Sequence, residues 1–219
     1  MIICGDARVE LSKLPYAALI LTDPPYNIGF KYGQYKDNLP DTEYIARLAL
    51  LKNHAETVAV IQYPEETMRY VVPALGVPDK VIAWCYNTNL RARAFRLISI
   101  YGRKPDFATV RQPYKNPGDR RVKKLIEAGS AGAPLYDWWA DIQMVKNVSL
   151  EKSIHPCPIP EALVERLILV LTHKGETVLD PFCGSGTVPF VAQNLGRKGI
   201  GIEIDRAYAA HAAVRCGVL

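Results

Sequence analysis

Asp23, Pro24, Pro25 and Tyr26 bring together residues that could do chemistry on a flat, amine-bearing ligand. The Asp23 carboxylate can accept a hydrogen bond from an amino group. The Pro24 carbonyl can accept a second, because Pro25 confines the residue before it to extended backbone. Tyr26 offers a ring that can stack on another ring. Two acceptors and a stacking face suit the exocyclic amine of a nucleobase. The same residues would also serve as a plain proline turn with a capping Asp after a strand.

A second constellation lies near the other end of the chain, at Asp180-Pro181-Phe182-Cys183-Gly184-Ser185-Gly186-Thr187. Gly184 and Gly186 would let a ligand approach the backbone, and a helix starting at Thr187 would attract a carboxylate at its N-terminus. Glu203 stands 17 residues after Gly186, at the end of the next apolar run, where a carboxylate can accept from ribose hydroxyls. The third glycine of a dinucleotide loop is missing, and no Walker lysine follows. Asp180 before the loop suits a ligand carrying an amino group as well as a carboxylate. S-adenosylmethionine has both, plus a ribose; a purely structural strand-to-helix turn is the alternative.

The elements that must hold these residues can be read from periodicity. Ile2 to Gly5, Ala18 to Asp23, Thr57 to Ile61, Lys80 to Cys85, Phe95 to Tyr101, Thr177 to Asp180 and Gly199 to Glu203 read as strands. The sequence predicts helices capped by Asp41-Thr42 through about Asn53, from Glu65 to Ala74 with Pro73 ending it, after Pro160, from Thr187 to Leu195 and from Asp205 to Arg215. Strands alternating with helices mean a parallel α/β sheet covered on both faces. Residues 27–40, rich in Gly, Tyr and Lys, read as a mobile loop beside the first site. From Gly102 to about Gln143 the pattern breaks down, which predicts an irregular insertion that does not continue the sheet, with one short basic helix capped by Asp119.

Composition sets the partners. The chain has 219 residues, enough for one domain with a large core, and no apolar run long enough to span a membrane. Its start has no signal-peptide pattern, and five scattered cysteines without a C-x-x-C pair predict reduced thiols, a cytoplasmic protein and no metal site. Residues 91–124 hold eleven Lys and Arg against two acidic residues, a local charge of +9 that leaves the rest of this +5 chain at −4. Such concentration predicts contact with a polyanion.

Taken together, Thr22-Asp23-Pro24-Pro25-Tyr26-Asn27 and Asp180-Pro181-Phe182-Cys183-Gly184-Ser185-Gly186-Thr187 resemble the catalytic and cofactor motifs of the DNA amino-methyltransferases, which methylate adenine N6 or cytosine N4. Ile154 to Leu163 looks like the lead-in to their cofactor-contacting helix. The order, catalytic motif first, is similar to the permuted beta-type class; Ile159 departs from a lysine common at its place. The resemblance implies a class I S-adenosylmethionine-dependent methyltransferase fold, Rossmann-like and circularly permuted, with a seven-stranded, mostly parallel sheet. It implies a single catalytic domain, 1–219, with a target-recognition insertion at about 103–148. S-adenosyl-L-methionine would lie at Asp180, Phe182, Gly184, Ser185, Gly186, Thr187 and Glu203, with Asp6 near its adenine, since the N-terminal strand would follow Glu203 in unpermuted order. Asp23, Pro24, Pro25 and Tyr26 would hold a base flipped out of duplex DNA, with Tyr26 stacked on it. Lys31, Lys36, Arg111, Arg120, Arg121, Lys123 and Lys124 would contact DNA, and Trp138 and Trp139 would act as wedges or fasten the insertion to the core. In the family, Asp at position 23 leans to adenine and Ser to cytosine. Adenine N6 is therefore the expected target, with N4-cytosine methylation or a non-catalytic DNA-binding module as alternatives. The resemblance also allows a homodimer, a restriction endonuclease partner, and a bacterial, archaeal or viral origin.

Overall fold

The computed structural model describes residues 1–32, 35–87, 93–145 and 154–217, and the backbone alone of Lys36. Arg91 of the basic segment and residues 146–148 of the expected insertion therefore lie outside the described residues, as does the side chain of Lys36.

Leu19, Ile20 and Leu21 have no exposed surface, as expected of a strand buried on both faces. They belong to a sheet formed by β1 (Ile2–Cys4), β2 (Ala17–Thr22), β3 (Ala55–Gln62), β4 (Lys80–Cys85), β5 (Phe95–Tyr101), β6 (Trp138–Trp139), β7 (Thr177–Asp180) and β8 (Lys198–Glu203). The spatial order is β1-β8-β7-β2-β3-β5-β4-β6. All neighbours are parallel except at β5, which runs antiparallel to both β3 and β4. One face packs Leu19, Leu21, Ala59 and Ile61 against Leu163, Leu167 and Ile168 of the Glu161–Leu171 helix and Val188 and Val191 of the Thr187–Asn194 helix. The other packs Ile20, Val58 and Val60 against Tyr44 and Leu48 of the Asp41–Ala49 helix and Tyr70, Val71 and Leu75 from the helical stretch 64–75. Among the described residues no helix is long and apolar enough to cross a membrane.

The N-terminal strand β1 lies beside β8, with Ile2 opposite Gly201 and Cys4 opposite Glu203. The Met1 ammonium donates to the Gly199 carbonyl at 2.8 Å. The first residues of the chain thus extend the sheet from its last strand, which is the permuted arrangement.

Four expectations about the elements need correction. The insertion does continue the sheet: Trp138–Trp139 adds an eighth strand, parallel to β4 with Trp139 opposite Trp84. Trp139 is buried and fastens the insertion to the core, while Trp138 is half exposed, over the Lys115 ammonium. Asp41 does not cap its helix; Pro40 stands at the N-cap, and the Asp41 carboxylate instead accepts from Arg69 and Tyr70. Pro73 does not end the helical stretch 64–75, because a π-helical turn at Thr67–Val71 precedes it and absorbs the misfit. The 27–40 loop has structure of its own. Asp37, buried, accepts backbone N–H groups from Asn27, Ile28 and Phe30, and a small hairpin pairs Lys31–Tyr32 with Tyr35–Lys36.

Strand direction fixes which end of the sheet each segment reaches. Because β5 is reversed, its first residues, Phe95 and Arg96, lie at the carboxyl ends of the parallel strands, and Tyr101 lies at their amino ends. The insertion therefore departs from the amino end. There Arg103 pairs with Glu56 and Glu176, and Leu135 donates to the Phe107 carbonyl before the chain climbs back along β6.

Candidate active site

Asp23 follows β2 at the carboxyl end of the sheet, and Pro24 and Pro25 turn the chain away from it. One Asp23 oxygen accepts from the Tyr26 hydroxyl and the other from the Arg96 guanidinium at 3.2 Å. The Arg96 side chain is only 7% exposed, so the pair is shielded from water. Around the guanidinium stand the rings of Tyr63 at 5.3 Å, Tyr26 at 5.4 Å, Trp84 at 5.5 Å and Tyr86 at 6.0 Å. Burial raises the Asp23 carboxyl above its ordinary range, with the Arg96 charge pulling the other way. Burial also works against the charged guanidinium, yet the oxygens of Tyr26 and Asp23 outweigh it and keep Arg96 firmly protonated.

The expected role of Tyr26 as an open stacking face is not what this arrangement presents. Tyr26 is buried, its hydroxyl is spent on Asp23, and its ring meets Tyr63 edge-on at 5.2 Å. The rings that line the cleft are Tyr32, Tyr35, His155, Phe182 and Tyr208; Tyr32 stacks on His155 at 5.8 Å, and His155 meets Tyr208 edge-on at 4.9 Å. Pro24 is buried, and Pro25 lines the cleft while its carbonyl accepts from Tyr44, whose oxygen accepts from Gln62.

The cleft is open to solvent, spans about 710 Å³ including that open space, and is bounded by Asp6, Asp23, Tyr32, His155, Phe182 and Glu203 among others. A smaller recess of about 290 Å³ continues from it, sharing Asp23, His155 and Phe182 and adding Asp180, Gly184, Ser185 and Thr187. The Asp180 side chain is buried, and burial pushes its carboxyl up to about 7. Both of its hydrogen bonds, from the Thr22 hydroxyl at 2.7 Å and the Phe182 N–H at 3.1 Å, fall on Oδ1. Glu203 accepts from the Gly184 N–H and the Asp205 N–H, each at 2.8 Å, one on either oxygen. Burial raises its carboxyl as well, against those two bonds. A carboxylate has about four acceptor sites, so Glu203 keeps capacity for a ligand while shaping the loop. Asp6 caps the turn after β1 and grips Arg8 at 2.7 Å, which lowers its carboxyl, and it still lines the cleft beside Gly5 and Phe182. A recess lined by Asp180 and Asp23, leading to a wider cleft that adds Asp6, Glu203 and Asp205, fits an elongated ligand that is cationic at one end and bears hydroxyls farther along.

The glycines need a different account from the one expected. Gly186 has φ +77°, and a Cβ there would lie 2.8 Å from the Cβ of Ala212. The last helix by itself requires glycine at that position. Gly184 has φ +49° and lies against the His155 ring, 3.0 Å from a Cβ built on it. Arg215 of the last helix binds Thr187 at 3.1 Å and Glu161 at 2.5 Å, and so ties together the starts of the Thr187–Asn194 and Glu161–Leu171 helices.

His155, Tyr32, Arg47 and Arg96 are site residues that motif reasoning missed. Burial pushes His155 down to about 4, so it is a neutral wall of the cleft at physiological pH. The basic residues of the insertion do not line the cleft. Arg120, Arg121, Lys123 and Lys124 are exposed on the Arg120–Glu127 helix, whose Asp119 cap accepts from Arg121 and Val122. Arg111 is exposed on a hairpin pairing Arg111–Gln112 with Ala133–Pro134, and Lys31 is exposed on the loop hairpin nearer Asp23.

Known proteins share both the motifs and the sheet. The chain matches the DNA methylase family of N6 and N4 enzymes over residues 17–214. It is 32% identical to the type II methyltransferase M.HpaI of Haemophilus parainfluenzae, over 98% of this chain and 73% of that protein. It is also 32% identical to DNA adenine methyltransferase YhdJ of Escherichia coli (strain K12), over 94% of this chain and 79% of that protein. Its fold is similar to that of the PvuII DNA methyltransferase (cytosine-N4-specific), with a TM-score of 0.70 at 18% identity, covering 98% of this chain and 85% of that one. The M1.HpyAVI–SAM complex is similar with a TM-score of 0.67 at 21% identity, covering 98% of each chain. The chain belongs to the N6/N4 DNA methylase family, and its sheet is that of a class I methyltransferase.

Proposed function

We propose that this DNA methyltransferase transfers a methyl group to N6 of adenine in duplex DNA, using S-adenosyl-L-methionine. The observation that carries the reading is Asp23: a carboxylate, not a neutral acceptor, stands where the recess containing Asp180 meets the wider cleft. The similar Escherichia coli protein is named a DNA adenine methyltransferase, which supports the same choice.

S-adenosylmethionine supplies an electrophilic methyl on a sulfonium centre and departs as the neutral thioether. Asp180 would bind the ligand's ammonium, and Glu203 would accept from its ribose. The amine of adenine is a poor nucleophile because its lone pair is delocalised into the ring. Asp23 accepts one N–H and the Pro24 carbonyl the other, which favours pyramidal nitrogen and directs its lone pair along the line of displacement. In that displacement a nitrogen–carbon bond would form as the carbon–sulfur bond breaks, and the extra proton would pass from the product nitrogen to solvent water, with Asp23 serving chiefly to orient the amine. Positioning and electrostatics account for the rate, with no covalent enzyme adduct. Tyr32, facing the cleft, is placed to stack on the flipped base; Tyr26 would do so only after releasing Asp23. The insertion at about 103–148 supplies DNA contacts through Arg111, Arg120, Arg121, Lys123 and Lys124, with Lys31 nearer the base. An insertion this small reaches few base edges, so a target of about four or five base pairs is expected.

Digestion of treated duplex to nucleosides followed by mass spectrometry tests the reading. N6-methyladenine is the expected product. N4-methylcytosine alone would overturn the base, and transfer only to RNA would overturn the substrate class.

A further inference from the structure

We infer that Arg96 is a positioning residue for methyl transfer, holding Asp23 ionised and fixed in rotation so that it can accept from the target amine; this rests on the reading of Asp23 given above. Arg96 sits on the one antiparallel strand of the sheet, and only that reversal brings the start of β5 to the carboxyl end of β2. Its Nη1 lies 3.2 Å from one Asp23 oxygen while Tyr26 holds the other. The four surrounding rings leave the guanidinium no path to a DNA phosphate, so its charge serves the interior.

The physical argument is one of desolvation. A carboxylate walled in by aromatic rings tends to take up a proton, and a protonated Asp23 would become a donor where an acceptor is needed. An opposite charge in contact lowers a carboxyl by about 1–3 units, and the Arg96 charge opposes the burial that raises Asp23. The four rings hold the guanidinium so that its Nη1 meets Asp23 from one fixed direction, which a lysine's rotating ammonium does not do. No other cation is bonded to Asp23 among the described residues. The other titratable groups around it are Tyr26 on its own turn, Asp180 in the recess, and Asp6, Tyr32, Tyr35, Arg47, His155, Cys157, Glu203, Asp205 and Tyr208 on the cleft wall. Of these, Arg47 alone is a cation at pH 7, and it is bonded to Glu43, not to Asp23; His155 is held neutral and the rest are acids.

The test is Arg96→Gln, read by a carbon-13 titration of the Asp23 carboxyl and by the pH profile of kcat at saturating S-adenosylmethionine, which separates Asp23 from the ligand-binding Asp180. The expected result is a shift of the Asp23 midpoint, and of the acidic limb of kcat, upward by about 1–3 pH units. Cofactor affinity by calorimetry should stay within a few fold, which also reports folding. Where Arg96→Gln does not fold, Arg96→Lys decides: it should keep the acidic limb near that of wild type and lower kcat at least tenfold, the loss of a donor held in place by the surrounding rings. An unmoved midpoint in a folded Arg96→Gln, or wild-type kcat in Arg96→Lys, would overturn the inference. Asp23→Asn separates the two levels. A dead Asp23→Asn with an unmoved Arg96→Gln limb sinks the role of Arg96 alone, and a fully active Asp23→Asn sinks both.

Discussion

Asp180 makes the pH dependence of cofactor binding a quantitative test of the proposed site. Its carboxyl is pushed from 3.8 to about 7 by burial, which outweighs its bonds from Thr22 and Phe182. A shift of that size corresponds to about 4 kcal/mol between the charged and neutral forms. The sign for stability follows from linkage. The folded protein binds this proton more tightly than the unfolded chain does, so the contribution is fully present below pH about 4 and is lost as pH rises through about 7. Ligand binding runs the opposite way. If an ammonium seats on Asp180 as the carboxylate, affinity scales with the ionised fraction, which grows about 15-fold between pH 5.5 and pH 7. Calorimetric titration with S-adenosylmethionine over that range should show this gain. Methylthioadenosine, which lacks the amino-acid end, should show none, and Asp180→Asn should be weak and flat. His155, held near 4, does not titrate within the window. A flat wild-type profile, or an Asp180→Asn protein that keeps the slope, would refute the placement of the ammonium.

Three further outcomes are expected. Asp23→Ala should abolish methyl transfer while leaving S-adenosylmethionine affinity within a few fold by calorimetry; full activity would remove Asp23 from the chemistry. Replacing Arg120, Arg121, Lys123 and Lys124 by Ala should weaken duplex binding and flatten its salt dependence by roughly 0.9 for each phosphate left without its cation. A slope equal to wild type would place the Arg120–Glu127 helix away from DNA. Gly186→Ala should lower stability by about 2–4 kcal/mol in denaturant unfolding, combining the left-handed backbone cost with the clash on Ala212, and Ala212→Gly should restore part of it.

The motifs were legible because their chemistry is local. A buried apolar run closed by two prolines, and a glycine loop between a strand and a helix, announce themselves within about ten residues. The βα alternation revealed the sheet for the same reason, since strand and helix periods are properties of short windows. What failed was whatever depended on a distant partner. Asp41 has the side chain of a cap, but the neighbouring segment supplies Arg69 and Tyr70, and these take it. For Gly186 a short window suggests only ligand space, while the demand for glycine that Ala212 on the last helix imposes is invisible to it. Tyr26 is a surface-capable aromatic, but Tyr63 from beyond the next strand meets its ring edge-on and helps bury it.

Charge counting misled in a way that the sequence itself could have corrected. Arg96 enters the basic segment as one of its eleven cations, yet it lies in the strand Phe95-Arg96-Leu97-Ile98-Ser99-Ile100-Tyr101. Side chains alternate along a strand, so Arg96 must share the face of Ile98 and Ile100, both of which are fully buried. A guanidinium in phase with two core isoleucines has to find a carboxylate inside the protein. The same bookkeeping removes Arg93, paired with Glu66, and Arg103, paired with Glu56 and Glu176. The exposed charge that remains is concentrated on the Arg111 hairpin and the Arg120–Glu127 helix, on a segment that leaves the sheet at the end opposite Asp23. If that helix does grip a duplex whose flipped base enters the cleft, the DNA must reach around the β6 edge of the sheet. That path passes the half-exposed Trp138 and the Lys115 ammonium stacked over it, which makes these two residues the next place to look for a contact with the backbone.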